Sequence, residues 1–555
     1  MKFKVQSSKF KVKEKGFKIN SLIKVLLANR GIKTRKEIEE FLNPKLENVT
    51  VKSVGIDNKN LKKAIVRIKL AIKNKEQIVV FGDYDVDGIC GTAILWETLN
   101  SMGAKVMPYI PHRIDEGYGL SQRGIENLKL KIVNCKLIIT VDNGIVANKA
   151  VDFANEMGID VIITDHHVPS KKLPDALAIV HTTKLCGTGV AYILSQEIRK
   201  ILNTKYLIHN THLELVALAT VADLVPLKGA NRTLLKFGLE ALKKTKRVGL
   251  LELFKEAGLE KKSIGVYEIG HMIAPRLNAM GRLEYAMDSL RLICTNNQKR
   301  AEELAKLLGS TNKERQDLTL ETVLHAKQAI KNKKQETRKL IFISHKTYEQ
   351  GVIGLVAGKL VEQFYRPAIV VSIGEKISRA SARSISGFNI IEFIREHSSF
   401  LVDAGGHPMA AGFTVETTKL VKLQEILEDR AELILNENLL TRSLRIDCEL
   451  PLSFIDIKLY ESLQKLAPFG MGNPEPTFIS RNVAVEDMRL VGAEGKHLKL
   501  KIKDQKSNIP LDGIGFGMGG AKIHIGDKVN IVYVIDENEW NGNKRLQLKI
   551  RDLRK

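Results

Sequence analysis

Residues 82–88 read Gly-Asp-Tyr-Asp-Val-Asp-Gly, which sets the carboxylates Asp83, Asp85 and Asp87 at alternate positions. Such a run can open a helix–loop–helix calcium site, but that loop needs a Glu at its twelfth position and a helix before it. Here the twelfth position is Ile94, and the preceding QIVVFG is β-like. A lone acidic turn would simply be solvated. Three acids at the end of an apolar strand, with more acids and two histidines ending similar segments, point instead to a shared centre. Those others are Asp142 in KLIITVDNG, Asp165-His166-His167 after DVIIT, and Asp223 in ALATVADLVPL. Gathering them costs charge repulsion and desolvation, and divalent cations remove that cost. Carboxylates with an imidazole suit Mn²⁺ or Mg²⁺ better than zinc, which takes more nitrogen and sulfur. Neighbours at a strand end point opposite ways, so one of His166 and His167 can bind metal while the other faces substrate. Asp165 could orient a histidine from behind. Two cations ~3.5–4 Å apart can activate a water and clamp a phosphoryl group.

The elements that must position these groups follow from apolar spacing. Residues 61, 65, 68 and 72 repeat as one face of a helix. QIVVFG is a strand running into Asp83, followed directly by the helical ICGTAILWETLNSMG. KLIITV runs into Asp142 and is followed by the helical IVANKAVDFANEMG; DVIIT then runs into Asp165. Fully apolar strands alternating with helices argue for a buried parallel sheet, whose ligands sit beyond the carboxyl ends of the strands. Residues 298–334 hold no proline and one glycine and read as one long connecting helix, with a break allowed. A second α/β unit starts at LIFISH (340–345) and continues with AIVVS (368–372), with helices over 354–364 and 419–435. From about 445, HLKLKI (497–502), VNIVYVI (529–535) and RLQLKI (545–550) alternate between Gly-, Asn- and Asp-rich turns, as in an antiparallel barrel.

The chain has 555 residues, of which 44% are hydrophobic and 27% charged, so mostly disordered and fibrous classes fall away. At ~150 residues per domain, three or four domains are expected. Lys and Arg total 87 against 63 Asp and Glu, a formal charge of +24 that calls for an anionic partner. Nucleic acid leads, with an anionic membrane surface behind it. No run of 18 apolar residues occurs, so no membrane span is expected. The N-terminus lacks a signal-like apolar stretch. Cysteines at 90, 135, 186, 294 and 448 are scattered, without a CxxC pair. That argues against zinc sites and disulfides and fits a reducing, cytoplasmic setting. The first 24 residues hold eight lysines and one acid, which reads as a solvated tail or a nucleic-acid-binding arm.

At its acidic motifs the chain resembles a known family. GDYDVDG, VDNG, TDHH and ADLVPL, in this order, are similar to the DHH phosphoesterase superfamily, and within it to the RecJ family of single-strand-specific 5′→3′ exonucleases. IPHRIDEGYGLS (110–121), APRLNAMGRL (274–283), GVIGLVAGKL (351–360), SARSISGF (381–388), GGHPMAAG (405–412) and APFGMGNPEP (467–476) extend the likeness over essentially the whole chain. LLANRGI with FLNP resembles the family's opening. The resemblance implies an α/β fold with a parallel-sheet DHH catalytic domain, a long connecting helix, a second α/β DHH-associated domain, and a C-terminal OB-fold β-barrel. On this chain that means an N-terminal basic segment at 1–56, then domains or linkers at 57–297, 298–335, 336–440 and 441–555.

The resemblance also implies roles. Asp83, Asp85, Asp87, Asp142, His166 and Asp223 match metal positions. Asp142, as a bridge, and His167, against the scissile phosphate, match the catalytic pair. Arg113, Ser381 and Arg383 match a pocket for the 5′-terminal phosphate. Arg276, Asn278 and Arg282 match a segment lining the site, and Gly405, Gly406 and His407 match a substrate-binding loop. One departure stands out. Where the family usually has Asn-Pro and a longer loop, this chain has only His181-Thr182-Thr183-Lys184, which bears on how the helix at 187–194 docks.

Physical chemistry supports several of these roles beside a plainer alternative. An arginine fork holds phosphate bidentately, though any one arginine could instead make a surface ion pair. Glycines at 405 and 406 allow close backbone approach to an anion, or merely a tight turn. Tyr118 could stack on a base or simply pack. Lys496, Lys499, Lys501, Lys544 and Arg545 could line a strand-binding groove of the barrel or form a solvated face. Phe469 and the Asn-Pro-Glu-Pro turn read as braces for the barrel.

The expected function is metal-dependent 5′→3′ hydrolysis of single-stranded DNA in repair and recombination, using two cations, Mn²⁺ or Mg²⁺. A monomer is expected, with a helicase and a single-strand-binding protein as candidate partners and no membrane. The alternatives are a short-oligonucleotide or cyclic-dinucleotide phosphodiesterase, a pyrophosphatase, and a non-catalytic DNA-binding replication scaffold.

Overall fold

Five short apolar runs pair into one parallel sheet: β1 (Gln77–Gly82), β2 (Lys105–Tyr109), β3 (Cys135–Val141), β4 (Asp160–Asp165) and β5 (Ala178–His181). Their spatial order is β2-β1-β3-β4-β5. The inner strands are buried over most of their length, apart from Lys136 and the starting residues Gln77 and Asp160, because helices such as Asn58–Lys73 and Val86–Ser101 cover the sheet. This computed structural model describes residues 2–5, 18–113, 115–201, 211–332, 337–504, 510–540 and 543–555. Residues 6–17 of the lysine-rich arm lie outside the described residues.

A helix at Gln298–Asn332 follows the first sheet in the chain, unbroken over 35 residues. It packs against the Ala274–Leu283 and Ile353–Phe364 helices. The second sheet comprises β6 (Ile341–His345), β7 (Ala368–Ser372), β8 (Ile377–Arg383), β9 (Leu401–His407) and β10 (Ala410–Glu416), in the order β9-β10-β8-β7-β6. Only β6 and β7 pair in parallel. Phe342, Ile369, Val371, Phe413 and Leu427 fill the core between one face of this sheet and the Leu420–Ile434 helix.

The C-terminal strands are β11 (Phe478–Val491), β12 (His497–Lys503), β13 (Leu511–Gly515), β14 (Lys528–Trp540) and β15 (Asn543–Arg554). They run β11-β12-β13-β15-β14, and β14 pairs back onto β11 to close a barrel. Closure gives each of these five strands a partner on both sides. The Ile19–Asn29 and Arg35–Leu42 helices cap it, with Leu22, Leu26, Leu27 and Phe41 inside the barrel's own core. Arg30 locks this cap: its guanidinium, 4% exposed, donates to Asp447, Asn473, Leu26 O and Pro474 O. The family-like LLANRGI and GMGNPEP segments therefore meet each other. Phe469 packs on the same core, and Asn473 secures the turn through Leu466 O and Pro468 O.

Two compact units result. One holds 1–49, 224–236 and 443–555; the other holds 50–223 and 237–442. The basic segment set apart in the sequence is thus shared, with 19–49 in the barrel unit and 50–56 in the unit that holds the two five-stranded sheets.

Candidate active site

The acids stand where strands end and helices begin. Asp83 follows β1 and is 2% exposed. Asp85 caps the Val86–Ser101 helix, accepting from Asp87 N and Gly88 N at 2.9 and 3.1 Å. Asp87 turns to the next helix, Gly187–Ile201, and accepts from Gly187 N at 2.6 Å and Thr188 N at 2.7 Å. The shortened 181–184 loop therefore still seats that helix against the acidic centre. Gly187 has no room for a side chain there, since a Cβ would lie 2.6 Å from the Asp142 carboxylate. Asp142 follows β3 with a left-handed φ of 62°, a conformation that Asp and Asn tolerate best among residues with a side chain.

His166 is the hub. Its Nε2 lies 3.1 Å from Asp142 Oδ1, 3.6 Å from Asp223 Oδ2 and 3.7 Å from Asp87 Oδ2. Three sets place one ligand atom per residue within 4.8 Å of each other: Asp83/Asp85/Asp142, Asp87/His166/Asp223 and Asp142/His166/His167. Burial first, then mutual repulsion, pushes Asp83, Asp85 and Asp142 up from the usual carboxylate range and takes Asp223 to about 9. Buried Asp142 Oδ1 has no hydrogen-bond partner. A buried donor set of carboxylates and imidazole, with an orphaned oxygen at its middle, fits divalent cations.

His167 lies beside this hub, its Nδ1 3.9 Å from Asp142 Oδ1, but its hydrogen bond goes elsewhere. Its Nδ1 meets Asp165 Oδ1 at 2.8 Å. Asp165, 1% exposed, also accepts from Ile145 N, His166 N and His167 N. Burial works against a proton on His167, but the Asp165 carboxylate outweighs it and the imidazole is raised. On its other edge, His167 Nε2 is 3.3 Å from the Tyr118 hydroxyl, which also donates to Asp142 O at 3.3 Å. The ring of His407 stacks on His167, with centroids 6.1 Å apart and planes 17° apart.

Beside the acids lies a pocket of opposite sign. Arg113 lies over the Tyr84 ring, 5.1 Å from its centroid. Arg383 donates to Ser381 Oγ at 3.3 Å and to Ala382 O. Arg282 donates to Gly351 O at 3.3 Å. Burial, then repulsion from Arg113, Arg315 and Arg383, lowers the Arg282 guanidinium to about 10. None of Arg113, Arg282 and Arg383 bonds a carboxylate among the described residues. Gly354, in the first turn of the Ile353–Phe364 helix, makes the approach possible: a Cβ would come 2.9 Å from Ser381 Oγ and 3.1 Å from an Arg383 nitrogen. The arrangement suits an anion with several oxygens, held next to a carboxylate centre that binds cations.

Comparison with known proteins places the chain in a family. The DHH family, N-terminal domain, matches residues 77–220, the DHHA1 domain 337–434, and the RecJ OB domain 446–552. A Bacillus subtilis relative named single-stranded-DNA-specific exonuclease RecJ is 37% identical over 547 residues, covering 96% of this chain and 68% of its own. A Salmonella typhimurium relative of the same name is 31% identical, covering 96% and 95%. The chain belongs to the RecJ family. The crystal structure of RecJ in complex with Mn²⁺ from Thermus thermophilus superposes with a TM-score of 0.81 at 29% identity, covering 96% of this chain and 75% of that one. Its Mg²⁺ counterpart gives 0.74.

Within this RecJ-family chain, several sequence expectations take a different shape. Arg276 is not in the arginine pocket: its Nε pairs with Glu256 at 2.5 Å and its Nη1 donates to Met272 O. Asn278 acts on the backbone, accepting from Val86 N at 2.9 Å and so holding the helix that carries Asp87. Tyr118 is half exposed, but its hydroxyl braces His167 and the Asp142 backbone. Gly405, Gly406 and His407 form no loop; they end β9, paired with Gly412, Ala411 and Ala410 of β10. Gly406 permits that pairing, because at φ 139° a Cβ would sit 2.4 Å from Ala410 O.

The barrel residues also divide. Lys496 and Lys544 are ion-paired with Glu494 and Glu537. Lys499 and Arg545 line an open groove of about 530 Å³ with Arg489, Asp512 and Asn538. Sequence reasoning missed Arg489, Tyr84 and Arg315. Arg315 left a trace: it falls seven residues after Leu308 on a helix whose buried stripe runs through Ala301, Leu304, Leu308 and Asn312. A charge on a buried stripe is unusual enough to flag.

Proposed function

We propose that this chain is a metal-dependent exonuclease that removes nucleotides from the 5′ end of single-stranded DNA, in repair and recombination. The observation that carries the reading is the pairing, within one compact unit, of a cation-binding carboxylate cluster with a carboxylate-free arginine pocket. Asp83, Asp85, Asp87, Asp142, His166 and Asp223 would hold two cations, Mn²⁺ or Mg²⁺. When bound, these supply Lewis-acid activation of a water and of the phosphoryl oxygens.

The side chains do the rest. Asp165 keeps His167 oriented with a proton available, so that His167 can steady charge on the scissile phosphate or protonate the leaving oxygen. Tyr118 and His407 fix the ring from its edge and face. Arg113, Ser381, Arg282 and Arg383 would hold the terminal phosphate and so set the 5′→3′ direction. Asn278 serves as a positioning residue, and His407 with Gly405 and Gly406 forms a wall of the substrate channel.

The wider reading assigns 57–297 to catalysis, 298–335 to connection, 336–440 to substrate binding and 441–555 to strand binding, the barrel being capped by 19–49. A monomer, a cytoplasmic setting, and a helicase and single-strand-binding protein as partners belong to it. Five unpaired cysteines, four of them buried, support the reducing setting alone.

A nuclease assay with Mn²⁺ and strands labelled at either end tests the proposal. Mononucleotides should appear from the 5′ end of a single strand, while a blunt duplex should resist. Equal release from both ends would remove the polarity claim, and full activity of Asp142→Asn would remove the active-site assignment.

A further inference from the structure

Arg315 lies midway along the Gln298–Asn332 helix, next to the buried polar pair Thr311 and Asn312. One nitrogen of its guanidinium donates to Asn312 Oδ1 at 2.9 Å. Its Nε is buried and has no partner. Guanidiniums that serve as structural props in this chain are spent differently. Arg232 donates to the carbonyls of Phe41, Lys465, Ala467 and Pro468, and Arg247 is shared between Glu97 and Glu214. Arg199 and Arg366 also have an unpaired buried Nε, and on Arg199 the charge of Glu97 acts. Around Arg315 no carboxylate contributes.

Its surroundings are the arginine pocket. The helix packs on the Ala274–Leu283 helix, which carries Arg282, and on the Ile353–Phe364 helix, whose Gly354 admits Ser381 and Arg383. Arg315 repels Arg282, as do Arg113 and Arg383. Four guanidiniums thus converge with no hydrogen-bonded carboxylate among the described residues, only the charge of Asp83 acting on Arg113, and burying such a set is costly unless an anion completes it.

We propose that Arg315 is a fourth arginine of the terminal-phosphate pocket and a specificity determinant for a 5′-phosphomonoester over a 5′-hydroxyl, with its unpaired Nε–H reserved for a phosphate oxygen. This deepens the exonuclease reading and rests on it. A monoester carries up to two negative charges where a hydroxyl carries none, so each arginine in the pocket should add to the discrimination. Asn312 acts as the positioning residue that aims the fork.

The experiment compares wild type, Arg315→Met and Arg315→Lys on oligo-dT carrying a 5′ phosphate or a 5′ hydroxyl, in Mn²⁺. Losing one charge-assisted hydrogen bond should raise KM for the phosphorylated strand about 10-fold or more. The kcat on that strand, and both constants on the hydroxyl strand, should stay within about twofold. Arg315→Lys keeps the charge without the fork and should show a smaller KM rise on the phosphorylated strand alone. A KM rise of equal size on both strands overturns the proposal, as does an intact phosphate preference with a lowered Tm, which would make Arg315 a helix prop. Should the methionine variant fail to fold, the lysine variant decides, and an unchanged preference there also overturns the proposal. A wild type indifferent to the 5′ end would instead overturn the pocket assignment itself.

Discussion

Replacing Asp142 with Asn should make the metal-free protein more stable and the enzyme inactive. Position 142 has φ 62°, and Asn tolerates that conformation as well as Asp does, so the backbone need not move. The gain comes from charge. Ligand oxygens of Asp83, Asp85 and Asp142 lie within 4.8 Å of one another, a separation at which two carboxylates repel by about 3.5 kcal/mol at an effective dielectric of ~20. Two such neighbours would cost about 7 kcal/mol if all three were ionised. Proton uptake relieves most of this, as the raised carboxyls indicate, and leaves roughly 1–3 kcal/mol to be recovered by a neutral side chain. In a unit of this size the gain should appear as a Tm roughly 1–4 °C higher in EDTA. With Mn²⁺ at ~100 times its Kd, wild type should gain about 2.7 kcal/mol. The variant should gain far less, and its nuclease rate should fall by at least ~10²-fold. Thermal melts in EDTA and in Mn²⁺, run beside a 5′-labelled nuclease assay, read all three effects. A variant that melts below wild type in EDTA, yet is stabilised by Mn²⁺ equally, would refute the reasoning, because the carboxylates would then not be competing for a cation.

Gly406→Ala would place a Cβ 2.4 Å from Ala410 O, pushing β9 from β10 and His407 from His167. Since a misplacement of ~1 Å can cost ~10²-fold, kcat/KM should drop by roughly 10–100-fold, with unchanged kinetics as the refuting result. Glu97 takes hydrogen bonds from Arg247 and His212; burial pushes its carboxyl up, but these partners prevail and hold it at about 2. Because this pKa is depressed, its contribution of about 2–3 kcal/mol is complete above ~pH 5 and disappears as pH falls toward 2. Urea unfolding of Glu97→Gln should therefore show a deficit at pH 7 that narrows by pH 3; a deficit independent of pH would exclude the charge as its source. Replacing Arg489, Lys499 and Arg545 together with Gln should flatten the dependence of log affinity on log salt for oligo-dT by about 2, or ~0.7 per lost phosphate contact. An unaltered slope in fluorescence anisotropy would mean that this barrel groove does not hold the strand.

Much of this chain was readable before any contact was known. The runs QIVVFG, KLIITV and DVIIT form strands β1, β3 and β4, and the connecting helix spans Gln298–Asn332 where its proline-free stretch lies. Apolar periodicity is local, and a parallel sheet buried on both faces leaves those runs few other conformations. The acids were readable for the same reason: a carboxylate one residue past a buried strand has to emerge at the sheet's carboxyl edge. Partner choice was not. Arg276 and Arg282 sit in one motif, yet Arg276 is neutralised by Glu256 and Arg282 faces three other arginines. Nothing in their spacing separates a paired guanidinium from a free one, because the deciding neighbours are 20 or more residues away. Gly405 to His407 looked like a loop until β10 supplied the pairing strand. Residues 1–56 read as one basic segment until the barrel offered a core for Leu22, Leu26 and Phe41. The sequence alone determined which groups can carry charge, metal or phosphate and which strand ends present them. The tertiary structure decided which of those charges are cancelled, since cancellation depends on distance and burial, and only packing sets either.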